Sequence, residues 1–212
     1  MKTQLTETLY RWPRNWVQDS DLTVLIPGTP DTRYGLVKRA LKAGLLKSLK
    51  RGLYAIEKPI QEPLDQFEVA QLIYGPSFIS FESALSHHQW IPEAVYTITS
   101  ATTKRTEEFH TPYGLFSYQH VPTKHFYMGV KRETSGQAVY LMASPWRALS
   151  DYLYLYPKNW GTLEDIEADL RVELSILYES DRNELELMVN HYPNHRVKEV
   201  LKLIKRKLSN VN

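Results

Sequence analysis

The side chains in this sequence with the clearest chemical potential lie between positions 33 and 51, and they are cationic. Seven lysines and arginines occur in this segment with one tyrosine, and no aspartate or glutamate interrupts them. Neutralisation of phosphates by such side chains supplies a large part of a protein's affinity for nucleic acid. The segment is therefore predicted to bind a polyanion. The candidate contact residues are Arg33, Tyr34, Lys38, Arg39, Lys42, Lys47, Lys50 and Arg51.

Groups that could catalyse a reaction are present, but their spacing matches no known catalytic pattern. His87 and His88 are adjacent, so on a helix they point about 100° apart and cannot both face one ion. His110, His120 and His125 have no acidic residue at metal-ligand spacing. The sequence has no cysteine, no H-E-x-x-H, no G-x-S-x-G and no phosphate-binding loop. We predict no enzyme, cofactor or metal, while a catalytic set assembled from distant residues stays open.

The charged residues are segregated along the chain, although the net charge is only +2. Residues 1–58 contain 11 Lys and Arg against five Asp and Glu. Residues 59–194 contain nine against 18, and residues 195–212 contain six against one. Two basic ends flanking an acidic middle predict that a polyanion is bound by the ends. The alternative is that these charges are solvated helix faces.

Helix signals place the cationic segment after a tight turn. A helix is predicted for residues 2–12, and a short helix for residues 20–25. Pro27-Gly28 ends the short helix because proline lacks an amide donor and glycine permits a left-handed turn. Thr29 followed by Pro30 is a cap residue followed by proline at the first helical position, so a third helix is predicted for residues 30–43. Its apolar stripe is Leu36, Val37, Ala40 and Leu41, opposite an arc of Tyr34, Lys38, Arg39 and Lys42.

A basic hairpin follows the third helix. Residues 45–49 and 53–56 are predicted strands, joined by Lys50-Arg51-Gly52. Helix, turn, helix and hairpin in this order are typical of a winged helix-turn-helix, whose recognition helix enters the DNA major groove. We assign this domain to residues 1–58 and expect Tyr34, Lys38 and Lys42 to contact bases or phosphates. A protein-docking module with solubilising cations is the alternative.

Prolines at positions 59 and 63 predict a linker over residues 58–63, followed by a second domain over residues 64–212. Alternating patterns predict strands over residues 96–100, 114–121, 125–130 and 137–143, in a mostly antiparallel sheet. Ser144-Pro145 predicts another helix start, and helices dominate the rest, so the predicted fold class is α+β. Arg147 and Asp151 have the spacing of a surface ion pair on that helix, with a functional polar cluster as the alternative.

The predicted C-terminal helix, residues 194–208, also has one apolar and one basic face. Its cations either add phosphate contacts or form a solvated face, and the sequence favours neither. They are Lys198, Lys202, Lys205 and Arg206. The sequence shows no apolar leader and no stretch of the ~20 apolar residues that span a bilayer, so we predict a cytoplasmic protein without a membrane partner.

The ordered series of motifs resembles the AbiEi-type antitoxin family of type IV toxin-antitoxin and abortive infection systems. Residues 32–46 and 49–56 are similar to its winged N-terminal domain. Residues 78–86, 90–93 and 143–149, with Asp151, are similar to its second domain. The likeness covers nearly the whole chain.

This resemblance implies a repressor that binds its own operator and counteracts a nucleotidyltransferase-like toxin without forming a stable complex. It also implies which residues contact DNA. They are Arg33, Tyr34, Lys38, Arg39, Lys42, Lys50 and Arg51. The alternatives are a ligand-responsive transcriptional repressor, for which a large apolar cavity in the second domain would speak, and an enzyme with a regulatory winged domain.

Overall fold

Three helices and a three-stranded sheet make up residues 2–59, which we call the first unit. The computed structural model describes these residues and residues 64–209, which we call the second unit. The elements of the first unit are α1 (Lys2–Arg11), β1 (Trp16–Gln18), α2 (Asp19–Leu25), α3 (Pro30–Lys42), β2 (Leu46–Lys50) and β3 (Leu53–Ile56).

The helix boundaries of the first unit agree with the capping signals. The Thr29 side chain accepts a hydrogen bond from the amide of Thr32 at 3.2 Å, and Pro30 occupies the first turn of α3. Gly28 has φ +124, a backbone conformation that other residues rarely adopt. Strands β1 and β2 both pair with β3 in antiparallel fashion. The buried core between helices and sheet includes Leu9, Val17, Leu22, Val37, Leu46 and Ile56.

A six-stranded sheet with helices on both faces organises the described residues of the second unit. Its strands are β4 (Ser77–Ile79), β5 (Thr97–Thr102), β6 (Glu107–Thr111), β7 (Gly114–His120), β8 (Val130–Ser135) and β9 (Ala138–Ala143). Its helices are α4 (Gln66–Ile73), α5 (Phe81–His87), α6 (Pro145–Leu155), α7 (Leu163–Leu170), α8 (Leu174–Glu179), α9 (Arg182–His191) and α10 (His195–Ser209).

The strand order in this sheet is β6-β7-β5-β4-β9-β8. The pairs β4–β5, β6–β7 and β8–β9 are antiparallel, whereas β5–β7 and β4–β9 are parallel. Together with the fully antiparallel first sheet, this confirms the predicted mixed α and β class with mostly antiparallel pairing. No helix in residues 2–59 or 64–209 combines the length and apolar character needed to cross a membrane.

The strand predicted over residues 125–130 is wrong. Residues 124–129 form consecutive turns, in which the Met128 amide donates to His125 O, and the Val130 amide that follows donates to Tyr127 O. Gly129, at φ +68, ends this segment, and the strand β8 begins only at Val130. The edge strands β6 and β8 were not predicted, because they are mostly polar and so lack the apolar alternation that indicates a strand. Exposed edge strands are often polar. The apolar pattern of residues 125–130 instead places Phe126 in the core.

The two units are joined by a shared core. Leu49, Leu53 and Ala55 of the β2–β3 hairpin are buried in the same cluster as Val69 and Ile73 of α4. The hairpin therefore packs one side against the second unit and does not project freely. The predicted linker is described only at Lys58 and Pro59, because residues 60–63 lie outside the described part of the chain.

The Arg147–Asp151 ion pair is buried, so its prediction as a surface pair is wrong. Their side chains are 3% and 0% exposed, with Arg147 Nε 2.9 Å from Asp151 Oδ1. Asp151 also accepts hydrogen bonds from Ser80 Oγ at 2.8 Å and Tyr192 OH at 2.9 Å. Arg147 Nη1 donates to the carbonyl of Met128 at 2.7 Å. This network ties α6 to α9, to the turn before α5 and to the segment before β8.

Candidate nucleic-acid interface

One face of α3 presents cations to solvent, and the opposite face is buried. Val37 and Ala40 are in the core, whereas Lys38, Arg39 and Lys42 are exposed. Among the described residues, no carboxylate or carbonyl holds any of these three side chains. Three unpaired cations on one short helix can each approach a phosphate without first breaking an internal contact.

Tyr34 and Arg33 lie in the first turns of α3, and the structure gives them different environments. Tyr34 is 70% exposed, so its phenol is available for contact with a partner. Arg33 is half-buried and its Nη1 donates to the carbonyl of Gly28. The guanidinium thus braces the turn between α2 and α3, and only its remaining N–H groups face outward.

A groove of about 380 Å³ runs between α2, α3 and β3 beside this face. Arg33, Tyr34 and Lys38 line it on the α3 side. Asp19 and Tyr54 line the other side, and burial followed by the charge of Asp19 raises the pKa of Tyr54. The phenol of Tyr54 is therefore a neutral hydrogen-bonding group at the edge of the cationic surface.

Lys50 does not contribute to the exposed cationic surface. Its Nζ donates to the carbonyl of Ile73 at the end of α4. Burial, and then the nearby Lys104, lowers the pKa of Lys50. We predicted that Lys50 would reach a phosphate from the hairpin. The structure instead directs its ammonium group toward the second unit.

Lys47 is partly engaged, and Arg51 is free. Lys47 Nζ lies 3.0 Å from Glu57 Oε2 and 5.7 Å from the centre of the Tyr113 ring. The Tyr113 hydroxyl also donates to Glu57 at 2.7 Å, so a small polar cluster joins the hairpin to β6–β7. Arg51, at the hairpin tip, is exposed and has no partner among the residues that the structure describes.

A β-bulge in β2 explains why the sequence pattern did not predict that Lys50 faces the second unit while Arg51 is exposed. Ser48 pairs with Tyr54 and Lys50 pairs with Leu53, so Leu49 is an extra residue in β2. A bulge changes the direction of the following side chains, and simple alternation cannot anticipate it. Leu49 is buried against the second unit, and Lys50 is carried toward it.

Most candidate cations on the basic face of α10 are held by acceptors of the same chain, two of them by carboxylates. Three of its four candidate cations are held by acceptors on α9 or α10, while Arg206 has no such partner among the described residues. The contacts are Lys198–Asn190 O, Lys202–Glu199 and Lys205–Glu186. Exposed pairs of this kind contribute little and can exchange. The contacts favour a solvated face over a dedicated phosphate-binding surface.

The histidines do not form a ligand set. Among the residues that the structure describes, no group of three or more His, Asp or Glu side chains is arranged to hold a metal ion. His88 Nε2 lies 2.9 Å from the carbonyl of Ala143, and burial lowers the pKa of its ring. His87 instead contacts Phe67 edge to face. Both are explained by packing.

Comparison with known proteins adds no assignment. No protein-family model matches this chain, and no curated protein matches it.

Proposed function

We propose that this protein is a DNA-binding repressor whose first unit is a winged helix-turn-helix. The observation that carries the proposal is the exposed, unpaired set of Lys38, Arg39 and Lys42 on α3, with Tyr34 beside it. A helix presented after a tight, capped turn is the element that enters the major groove in such domains. The three-stranded β1–β3–β2 sheet fits the same layout.

The proposed contact surface differs from the expectation at the hairpin. It comprises Tyr34, Lys38, Arg39 and Lys42 on α3 and Arg51 at the hairpin tip. Arg33 supports it by bracing the turn. Lys50 is left out because its ammonium group is bound to the second unit. Lys47 is secondary because Glu57 already neutralises it.

We further propose that the protein acts in the cytoplasm as an antitoxin. The ordered motifs shared with AbiEi-type antitoxins support this role, as does the arrangement of a small helical unit followed by a larger α and β unit. In this role it represses its own operon and counteracts a nucleotidyltransferase-like toxin without forming a stable complex.

The DNA-binding proposal is tested by a mobility-shift assay with the DNA upstream of the gene. Replacing Lys38 and Lys42 by Glu is expected to abolish the shift. The matched control replaces Lys124 and Arg132 by Glu, which changes the net charge equally at exposed, unpaired positions of the second unit. Equal loss of binding in both variants, or no loss in the first, contradicts the assignment of α3.

The antitoxin proposal has a separate test. The neighbouring reading frame is expected to encode a nucleotidyltransferase, and co-expression is expected to restore growth of cells producing it. Growth that stays arrested would remove the antitoxin role and leave the repressor role standing.

A ligand-responsive repressor is the second candidate, and one observation favours it. The second unit contains a pocket of about 620 Å³ between its sheet and α5, α6 and α7. That volume lies within the range of small-molecule sites in proteins. The lining is partly polar and acidic, so the pocket is not the large apolar cavity that the sequence analysis named for this alternative.

A further inference from the structure

The 620 Å³ pocket lies between strands β5, β6 and β7 of the second sheet and the helices α5, α6 and α7. Alternate side chains of a strand face opposite sides of a sheet. Ile98 and Phe116 are buried on the side of α4, whereas Thr97, Thr99 and Ser117 point to the other side and form the pocket floor. The floor is therefore polar. The Thr99 hydroxyl is engaged within the fold, because it donates to Ser80 O at 2.8 Å and accepts from the Ser83 amide at 3.1 Å, and Ser117 Oγ accepts from Gln119 Nε2 at 3.1 Å.

Tyrosine rings form one wall of the pocket. Tyr152 and Tyr156, one turn apart at the end of α6, have ring centres 4.9 Å from each other. Tyr96 stands at the rim and is 90% exposed. The faces of such rings carry partial negative charge and attract cations.

Apart from the tyrosines, the ionisable side chains that line the pocket are all carboxylates. Among the described lining residues there is no lysine, arginine or histidine. The carboxylates are Glu82, Glu93, Glu108 and Asp169. Asp169 pairs with Lys158, and Glu93 Oε1 lies 3.2 Å from Arg171 Nη1, so Glu82 and Glu108 are the lining carboxylates without an ion-pair partner among the described residues. Unpaired carboxylates in a partly enclosed pocket attract cations and repel phosphates.

The protein already places one of its own ammonium groups at the rim. Lys158 Nζ lies 2.8 Å from Asp169 Oδ2 and 5.7 Å from the centre of the Tyr152 ring. Trp160 Nε1 donates to the same carboxylate at 3.0 Å. One carboxylate and one tyrosine ring thus hold an ammonium group at this pocket, which shows the type of contact that its walls can make.

Glu82 and Tyr156 line the same pocket, and no cation among the described residues forms an ion pair with Glu82. Glu82 is half-buried at the start of α5, and no other described residue donates to it or forms an ion pair with it. Burial raises the pKa of Glu82. Burial is the main cause that raises the pKa of Tyr156, and the charge of Glu82 is the second. The charge of Glu82 also raises the pKa of Tyr152. The geometry agrees, since Glu82, Tyr152 and Tyr156 all line this one pocket.

We propose that this pocket binds a small organic cation whose ammonium or guanidinium group pairs with Glu82 against Tyr156 and Tyr152. The aliphatic or planar body of the ligand lies over the Thr97, Thr99 and Ser117 floor. A cation at this position compensates a carboxylate that the fold removes from water and leaves unpaired. The residues that line this pocket are separate from those of the α3 surface, so the site can be tested without DNA.

Isothermal titration calorimetry of the full chain with agmatine and spermidine tests the site, with 1,4-butanediol as an uncharged probe. Binding is expected for at least one cation and not for the diol. Glu82→Gln is expected to weaken cation binding by at least about tenfold, which corresponds to about 1.4 kcal/mol. The matched control is Glu107→Gln, since Glu107 neighbours Glu108 in β6 but does not line the pocket. This control is expected to bind as the original protein does.

Three results would overturn the proposal: no binding of either cation up to about 10 mM, equal affinity of the Glu82→Gln variant, or an equal loss in both variants. A capped Gly-Arg-Gly peptide separates the two sources of the cation. Stronger binding of the peptide than of agmatine assigns the site to a side chain of a partner, and the reverse assigns it to a free metabolite. Thermal melting confirms that both variants fold, and Lys38→Glu is expected to retain cation binding.

Discussion

The salt dependence of DNA binding follows from the number of exposed, unpaired cations on the proposed surface. Lys38, Arg39, Lys42 and Arg51 meet that description, and Lys50 does not. If each of the four neutralises one phosphate, the slope of log affinity against log salt is about −3.6 per protein chain. Affinity should then fall by about 150-fold between about 50 mM and about 200 mM salt.

Replacing Lys38 and Lys42 by Ala removes two of these contacts without adding repulsion. The slope is expected to become about −1.8, so the same change in salt lowers affinity by only about 12-fold. Fluorescence anisotropy with labelled operator DNA at several salt concentrations measures both slopes. Lys50→Ala is the informative control: the ammonium group of Lys50 is held by the carbonyl of Ile73 and not by a phosphate, so its removal is expected to leave the slope at about −3.6.

Two results would refute this reasoning. An unchanged slope in the Lys38 and Lys42 variant would mean that α3 does not contact phosphates. A slope reduced by about one unit in Lys50→Ala would mean that the hairpin leaves the second unit when DNA binds. Circular dichroism on each variant separates these outcomes from unfolding.

Three further predictions concern stability. Asp151→Asn is expected to lower the free energy of unfolding by about 3–5 kcal/mol, because it leaves Arg147 buried without its counter-charge. Urea denaturation measures the loss, and a change below about 1 kcal/mol would contradict the buried network. Gly52→Ala is expected to destabilise by about 1–3 kcal/mol, since Gly52 has φ +76 and an added Cβ would lie 2.8 Å from Asp19 Oδ2; a melting temperature equal to that of the original protein would refute it. Because burial makes the pKa of Glu82 higher in the folded protein than in the unfolded chain, protonation of Glu82 stabilises the fold. This stabilisation is lost as the pH rises through the folded-state pKa. Glu82→Gln is therefore expected to be more stable than the original protein at pH 7 and to lose this advantage on acidification, and a constant difference across a series of thermal melts from pH 7 to pH 4 would contradict the shift.

Much of the local structure could be predicted because its signals act over a few residues. Thr29-Pro30 and Ser144-Pro145 each place a capping side chain before a proline, and α3 and α6 begin at those prolines. The apolar stripe of α3 specified which side of the helix is buried. For the same reason, the exposure of Lys38 and Lys42 was predictable from spacing alone.

The direction of Lys50 and the burial of Asp151 depended on segments far away in the chain. Lys50 is 23 residues from the carbonyl it binds, and Asp151 lies 71 residues from Ser80. An i,i+4 ion pair has the same sequence pattern at the surface and in the core, so only the surrounding packing distinguishes the two. The pocket around Glu82 likewise requires side chains from three strands and three helices.

The amino-acid sequence by itself determined the class of fold, the main helices and the cationic face of α3. Periodicity and capping are properties of neighbouring residues, and these features need nothing more. The tertiary structure alone decided which cations remain free, which ion pair is desolvated and where an acidic, tyrosine-lined pocket opens. Burial and charge pairing depend on what packs against a residue, and in this protein those partners come from the other unit or from distant strands.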